Sequence, residues 1–254
     1  MSLSRDALKR AAQVLWFPVL IAAAWQTLSA NEVVNPFFFP PPTKVLATAW
    51  SMTVAGELPR ELVATLDRYI RGVFLGCLAG IACGVLMGVS LAARRALEPL
   101  VAALYSTPKL TLLPLMMLLL GIGDESKIAL IALVGFIFLS VQTLDAIRGV
   151  DRCFLEMARN YRAGEWALIR RVYLPAALPQ IFTGLRMAFT RSLVSAITIE
   201  LVSGTDGLGA LIWMSWQTLA TERLYVGILL AGLLGIIMHS TLASIEASVI
   251  PWRR

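Results

Sequence analysis

The longest strongly polar run of this chain, EMARNYRAGEWALIRRVYLP over residues 156–175, carries the side chains best suited to binding a partner. Glutamate and arginine residues alternate in it with apolar ones, so it offers charge-assisted hydrogen bonds beside a small apolar surface. Gly164 lies where one short helix can end and another can begin, and Leu174-Pro175 indicates a stop. We expect two short helices on a membrane surface. The alternative is an ordinary basic loop.

Some ionisable residues lie deep inside apolar stretches, where a charge is costly. Lys109 follows Pro108, and Arg191 and Glu200 share a later stretch. An intramembrane cation costs about 2.5–3.5 kcal/mol on insertion scales, so it normally faces protein or water. We therefore take Lys109, Arg191 and Glu200 as candidates for lining a solute pathway, and the two cations favour an anionic solute. The alternative for Lys109 is that it reaches water from an interfacial segment over residues 97–107.

No catalytic constellation accompanies these charges. The chain has one histidine, His239, and three cysteines with no metal-ligand or disulfide spacing. It contains no G-x-x-x-x-G-K-[ST] motif, so it cannot hydrolyse ATP by the P-loop route. We therefore expect no catalytic residue, no metal site and no cofactor on this chain.

The composition predicts an all-α membrane protein that forms a single domain over residues 1–254. The chain is 58% hydrophobic and 15% charged, with a mean hydropathy of +0.75, which excludes a soluble domain with an apolar core. The net charge of +6 could suggest a nucleic-acid partner. The arginines, however, cluster between apolar stretches, so membrane topology explains the excess better and we expect lipid but no nucleic acid as a partner.

Six apolar windows are each long enough, or nearly so, to cross a bilayer. They lie near residues 14–30, 70–90, 99–121, 128–146, 178–202 and 224–246. Arginines and lysines are concentrated before the first window, after the second, between the fourth and fifth, and at the end of the chain. The positive-inside rule therefore predicts six transmembrane helices with both termini and the polar run in the cytoplasm.

The second window carries five glycines at a strict spacing of four residues. They are Gly72, Gly76, Gly80, Gly84 and Gly88. In a helix these glycines form one ridge that a second helix backbone can approach closely. We expect a helix-packing surface; the alternative is a bare wall of the pathway.

The polar run resembles the EAA loop of bacterial ABC-importer permeases, and the segments around it resemble the nitrate/sulfonate/taurine branch of that family. Glu156, Ala158 and Leu174-Pro175 match the loop pattern in register. Met157 stands for the first alanine of the pattern and Val172 for its isoleucine. Arg162 stands where the family has glycine, so the turn there would fall to Gly164. The resemblance covers roughly residues 36–253 and includes the stretch LPAALPQIFTGLR.

The resemblance implies a type I importer permease fold, in the bacterial inner membrane, with a cytoplasmic coupling helix at about residues 152–175. The coupling residues carried over are Glu156, Met157, Ala158, Arg159, Tyr161, Arg162 and Gly164. It further implies a second permease copy, two ATPase subunits that bind ATP and Mg²⁺, and an external substrate-binding protein. The competing class is a secondary transporter or channel without an ATPase, which would need acidic ion sites within the membrane and broken helices in inverted repeats.

Overall fold

The structure, a computed structural model, describes the backbone of residues 3–249 and the side chains of residues 16–249. Every regular element in these residues is helical, which confirms the all-α prediction. The α-helices are α1 (Leu3–Ala30), α2 (Pro42–Val54), α3 (Glu57–Val89), α4 (Leu91–Ser106), α5 (Leu113–Leu120), α6 (Asp124–Arg148), α7 (Arg152–Asn160), α8 (Glu165–Leu168), α9 (Leu174–Ser203), α10 (Leu208–Gln217) and α11 (Thr221–Val249). A 3₁₀ turn covers Lys109–Leu112, and a π-helical turn covers Ile169–Tyr173.

Three long helices, α3, α6 and α9, form the centre of the bundle. Residues near the start of α3 contact residues near the start of α6, and the order is kept along both helices, so the two run parallel. Gly184 of α9 contacts Gln142 while Ser192 contacts Gly135, so α9 runs antiparallel to α6. The bundle therefore has two distinct ends. We call them the α10 end, where α3 and α6 begin, and the α7 end, where they finish.

Apolar burial in the centre of the bundle, with a hydrogen bond from a buried tyrosine, helps to hold these three helices together. The shared core buries Tyr69, Leu139 and Ala188 completely. The Tyr69 hydroxyl donates to the Phe189 carbonyl over 3.2 Å, and the two rings meet edge to face. A buried phenol needs such a partner, because leaving it without one would cost the desolvation of its O–H group. At the α10 end a second, smaller core joins α2 to α10 and α11.

The glycine ridge of α3 lies against α6 along its whole length. A Cβ atom added at Gly76 would lie 2.1 Å from the Ala132 carbonyl oxygen, and one at Gly84 would lie 2.6 Å from that of Ser140. A Cβ atom at Gly80 would lie 2.8 Å from the Phe136 carbonyl oxygen, whereas at Gly72 and Gly88 it would first meet the side chains of Ile131 and Ile147. Such approaches leave no room for any side chain, so the two backbones are in direct contact. The structure thus places the ridge at a helix-packing surface.

The third apolar window does not form the single straight span that its length suggested. α4 and the segment Lys109–Leu120 meet at 100°. Thr107, between them, has extended backbone at φ −72° and ψ 133°. Pro108 explains the break, because proline disfavours helical geometry at the preceding residue and has no N–H to continue the helix. Lys109 therefore lies at a bend in the chain.

Length and composition identify three helices in the described part that could each cross a membrane, α3, α6 and α11, or four spans if the bent pair counts as one. The first and fifth windows lie in α1 and α9. α9 is 30 residues long but carries Arg186 and Arg191. Arg186 forms an ion pair with Glu246 of α11 at 3.0 Å, in agreement with a structural role near the polar run. The basic side chains at positions 5, 9, 10, 253 and 254 lie outside the described residues.

Replacing Gly76 with alanine tests the backbone contact. Gly76→Ala should destabilise the protein by about 1–3 kcal/mol, because the new methyl group must push α3 away from α6. The measurement is the thermal unfolding midpoint of the detergent-solubilised protein, with folded yield from size exclusion. Gly232→Ala in α11 is the matched control, since its added Cβ meets nothing within 4 Å. Equal stability of the two variants would contradict the contact.

Candidate functional site

At the α7 end, a short helix is held out from the bundle with most of its side chains exposed. Asp151 caps it, since its carboxylate accepts a hydrogen bond from the Cys153 N–H at 2.9 Å. Phe154, Met157 and Tyr161 follow at spacings of three and four residues and share one face. Tyr161 is 85% exposed. An apolar face that the bundle leaves uncovered is a surface suited to a partner.

α7 ends in a Schellman motif centred on Arg162. The Ala163 N–H donates to the Ala158 carbonyl and the Arg162 N–H donates to the Arg159 carbonyl, the two bonds that define this motif. Arg162 has φ +54°, the left-handed conformation that glycine adopts without strain. The expectation that Gly164 supplies this turn is wrong, because Gly164 has φ −68° and only precedes α8. The strain thus falls on the arginine that stands in place of the family glycine.

The predicted stop at Leu174-Pro175 is also wrong. The chain stays helical from α8 through the π-helical turn into α9. Pro175 falls in the first turn of α9, where a missing N–H is tolerated. The wider turn before it accommodates the hydrogen bond that proline cannot make. As a result, α8 and α9 are mechanically continuous across the polar run.

A groove of about 370 Å³ lies between α7 and this helical segment. Its walls include Met157, Ala158, Tyr161 and Pro175, and Arg171 stands at its rim. Glu156 and Arg159 are exposed beside it. Trp166 of α8, 73% exposed, adds a large apolar side chain nearby in sequence. Of the seven predicted coupling residues, Met157, Ala158 and Tyr161 thus line the groove, and Glu156, Arg159, Arg162 and Gly164 are exposed on α7 or just after it.

Inside the bundle, the structure brings Lys109 and Arg191 to the same aromatic ring. Lys109 Nζ lies 5.9 Å and Arg191 Cζ lies 5.4 Å from the centroid of the Phe138 ring. Lys109 also borders a cavity of about 220 Å³ that Ser195 and Thr198 of α9 line. Arg191 is exposed and Lys109 is partly exposed, so neither is absorbed into the core.

Glu200 does not join them, and its assignment as a pathway residue is corrected. Its side chain is only 1% exposed and lies at the α10 end. Its carboxylate receives hydrogen bonds from Thr65 at 2.7 Å, from Arg68 at 3.1 Å and from the Gly209 N–H at 3.1 Å. A carboxylate so fully bonded is a structural group, because a passing solute could not reach it.

Arg68 is the centre of this buried cluster, which the sequence analysis did not identify. Its guanidinium is 2% exposed and binds Asp124 at 2.7 Å, Glu200 at 3.1 Å and Asp206 at 2.6 Å. The only sequence signal was an arginine at the edge of an apolar window, two residues before residue 70. Its partners are 56 to 138 residues away in the chain. One side chain therefore ties α3, α6, α9 and the loop before α10 together.

The charges of this cluster change the pKa of Asp206, which lies in the loop between α9 and α10. Partial burial by itself would raise the pKa of this carboxyl. Hydrogen bonds from Arg68 and Thr205, with the charges of Arg68 and Lys127, outweigh that effect and hold its pKa below the usual range. Asp206 thus stays ionised beside the guanidinium at neutral pH.

Comparison with known proteins adds independent findings. A family model described as "binding-protein-dependent transport system inner membrane component" matches residues 72–250. The taurine transport system permease protein TauC of Escherichia coli (strain K12) is 30% identical over 240 residues, which cover 92% of this chain and 86% of that protein. The putative aliphatic sulfonates transport permease protein SsuC of Bacillus subtilis (strain 168) is 31% identical over 239 residues, covering 94% and 87%.

A solved structure, the inward-facing MetNI methionine ABC transporter, also matches this chain. Its TM-score is 0.69 at 20% sequence identity, and the match covers 76% of this chain and 95% of that chain. This likeness shows that the two chains share a fold.

Arg162 provides a test of the α7 terminus. Arg162→Gly should stabilise the end of α7 by about 1–2 kcal/mol, because glycine removes the side-chain clash of the left-handed conformation. Hydrogen exchange of the Arg162-position and Ala163 amides should slow by about tenfold. Gly164→Ala is the control, since Gly164 has negative φ and open space around it, and it should not slow these amides. Unchanged exchange in Arg162→Gly would show that the turn carries no strain.

The Arg68 cluster makes a second prediction. Arg68→Ala should destabilise the protein by about 3–5 kcal/mol, because it leaves the buried Glu200 carboxylate without its cation. The double variant Arg68→Met with Glu200→Met should recover much of that loss, since no buried charge is left uncompensated. Thermal unfolding in detergent measures both. A double variant less stable than Arg68→Ala would contradict the assignment of the loss to an unpaired charge.

Proposed function

The chain belongs to the family of binding-protein-dependent transport system inner membrane components and is a permease subunit of an ABC importer; we propose that it carries a small organic anion and is driven through α7. The type I importer permease fold expected from the sequence is confirmed, and the chain is a multi-pass inner-membrane protein. The observation that carries the proposal is the exposed α7, with its apolar face and charged rim, at one end of a rigid bundle.

In this proposal the α7 end faces the cytoplasm. Arginines are concentrated there, at positions 94, 95, 148, 152, 159, 162, 170 and 171. The α10 end has fewer unpaired cations, because Arg68, Lys127 and Arg223 are held by carboxylates. The positive-inside rule supports this orientation, with both termini on the cytoplasmic side.

The ATPase subunit binds the α7 surface. Ala158 and the groove beside it permit close docking of a neighbouring protein, and Met157 and Tyr161 supply apolar contact. Glu156 is exposed on α7 and can accept charge-assisted hydrogen bonds. Because the P-loop motif is absent from this chain, ATP and Mg²⁺ are bound by that partner.

Helical continuity supports a direct mechanical link from this surface to the bundle. A displacement of α7 and α8 passes through the π-helical turn into α9, which lines the cavity beside Lys109. ATP binding would close the ATPase pair and switch the bundle between inward-open and outward-open states. A second permease copy completes the pathway, and the exposed apolar surface formed by Leu118 of α5 and by Ile122 just after this helix is available for it.

At the opposite end, a cleft of about 330 Å³ opens between α3, α10 and the start of α11. Glu57, Glu61, Asp206 and Arg223 border it together with Met214. A mixed polar and charged surface on the external side suits transient docking of the substrate-binding protein. The substrate class follows from the relatives, whose names specify taurine and aliphatic sulfonates, and from Lys109 and Arg191 within the bundle.

A carrier that works without an ATPase is the alternative, and it would need a free intramembrane acid as an ion site. Two acids in the long helices α9 and α11 are already paired with cations. Glu200 pairs with Arg68, and Glu246 pairs with Arg186. These ion pairs favour the importer.

Glu156→Lys tests the docking role of α7. It should weaken ATPase recruitment by about one to two decades, because one charge-assisted hydrogen bond worth about 1.5–3 kcal/mol is lost and a like charge is introduced. The tagged permease is purified from its native host, and copurified ATPase and binding-protein-stimulated hydrolysis are measured. Membrane-domain stability should change little, since Glu156 is exposed.

Glu32→Lys is the matched control, with the same charge change on an exposed residue at the α10 end. It should recruit the ATPase normally. If Glu156→Lys recruits the ATPase and transports as the wild type does, α7 is only a connector and the proposed mechanism fails.

A further inference from the structure

We propose that the permease chain itself contains an anion-binding site, built from Lys109, Arg191 and Ser195 around the ring of Phe138. Its ligand is an organic monoanion with an oxyanion head and a short apolar body. The inference rests on the proposed function, because it takes this cavity to lie on the path of the solute. It goes further in locating a binding site within the membrane subunit, separate from the substrate-binding protein.

Two cations lie near the same aromatic ring at this site. Lys109 Nζ lies 5.9 Å and Arg191 Cζ 5.4 Å from the Phe138 centroid, and Lys109 Nζ is also 5.2 Å from that of Tyr105. Tyr105 and Phe138 contact each other edge to face at 5.3 Å. The ring faces attract cations but carry no net charge, so they hold the cations in place without neutralising them.

No carboxylate balances this charge within the described part of the chain. Neither Lys109 nor Arg191 has an acidic oxygen within 4.0 Å there. The nearest acid along α9, Glu200, is bound to Arg68, nine residues from Arg191. Both cations belong to apolar stretches of the chain, and an anion bound between them would balance their charge.

The cavity lies between two helix faces that carry complementary groups. Leu130 and Val134 of α6 and Ser195 and Thr198 of α9 line it, and Phe138 and Arg191 lie one helical turn further along the same two faces. Lys109 and Leu110 border the space at the bend between α4 and α5. The cavity is open on one side, its volume is about 220 Å³, and its Leu130 and Val134 side is apolar.

Hydrogen-bond donors are available where the head of an anion would lie. In the described residues, the Arg191 guanidinium and the Ser195 hydroxyl make no hydrogen bond, and Lys109 donates only to the Tyr105 carbonyl. The Thr198 hydroxyl already donates to the Val194 carbonyl, so it does not contribute a donor. Guanidinium binds a planar or tetrahedral oxyanion through two parallel bonds, with the ammonium and the hydroxyl as further donors.

The apolar side of the cavity, formed by Leu130 and Val134, restricts the class of ligand that can bind. A bare divalent anion such as sulfate would place a strongly hydrated group against Leu130 and Val134, which is unfavourable. A monoanion with a short alkyl chain instead places its head at the cations and its chain against the wall. A cation or a neutral alcohol of the same length lacks the attraction to Lys109 and Arg191.

The test measures binding to the permease–ATPase complex in lipid nanodiscs without the substrate-binding protein. The probe is 1-butanesulfonate, followed by isothermal titration calorimetry. Saturable binding is expected for the wild type, weakened about tenfold or more in Arg191→Ala and in Lys109→Ala, because each loses a charge-assisted contact. Arg191→Lys should retain part of the affinity, since it keeps the charge but loses the planar fork. Phe138→Leu, which keeps both cations but removes the ring, should weaken binding by a smaller factor.

Arg95→Ala is the matched control, an exposed arginine of α4 removed from the cavity, and it should bind like the wild type. 1-Butylammonium and 1-butanol should show no saturable binding, and sulfate should bind more weakly than the sulfonate. Absence of sulfonate binding by the wild type overturns the proposal, as does equal binding by Arg191→Ala and Arg95→Ala or a preference for butylammonium.

Failure of this site is distinguishable from failure of the proposed function. If only the site is wrong, the ATPase still copurifies, and binding-protein-stimulated hydrolysis persists in wild type and in Arg191→Ala alike. If the function is wrong, no ATPase copurifies with the wild-type permease, whether or not the permease binds 1-butanesulfonate.

Discussion

The direct contact between the α3 and α6 backbones is the constraint on which the rest of this molecule depends. Lipid supplies no hydrophobic force between apolar helices, so close packing of small residues must hold them together. Gly76 and Gly84 allow that approach. With α3 and α6 fixed as one unit, α9 can pack antiparallel to α6, and every functional group considered above is placed relative to this pair.

The two ends of the bundle differ in how their charged and apolar side chains are arranged. At the α10 end, Arg68 is buried and binds carboxylates from α6, α9 and the following loop. Ion pairs therefore hold the helices together at the α10 end. At the α7 end, α7 is exposed and its apolar face is uncovered. Buried ion pairs therefore fix one end of the bundle, whereas an apolar helix face is left exposed at the other.

Local patterns allowed much of this to be predicted from the sequence, and long-range partners account for what was missed. The glycine spacing and the apolar windows depend on periodicity within one helix, so α3 and its ridge were foreseeable. The role of Glu200 was not, because its partner Arg68 lies 132 residues away in the chain. Arg162 shows another limit, since its departure from the family glycine was visible but the left-handed backbone it adopts was not. The path through Pro175 depended on a π-helical turn that no residue type specifies.

The bend at Pro108 has a kinematic consequence. α3 and α6 pack together as one rod, whereas α4 and α5 form an arm with an elbow at Pro108. The chain joins this arm to the rod at Ser90 and at the Gly121–Gly123 linker, and Tyr105 of the arm also packs on Phe138 of α6. Lys109 sits at the elbow, and Arg191 sits on a helix packed against the rod. Any change in the 100° angle of the elbow therefore changes the separation of the two cations. The distance between the two cations therefore depends on the position of the arm, and an anion bound to both cations would fix that distance.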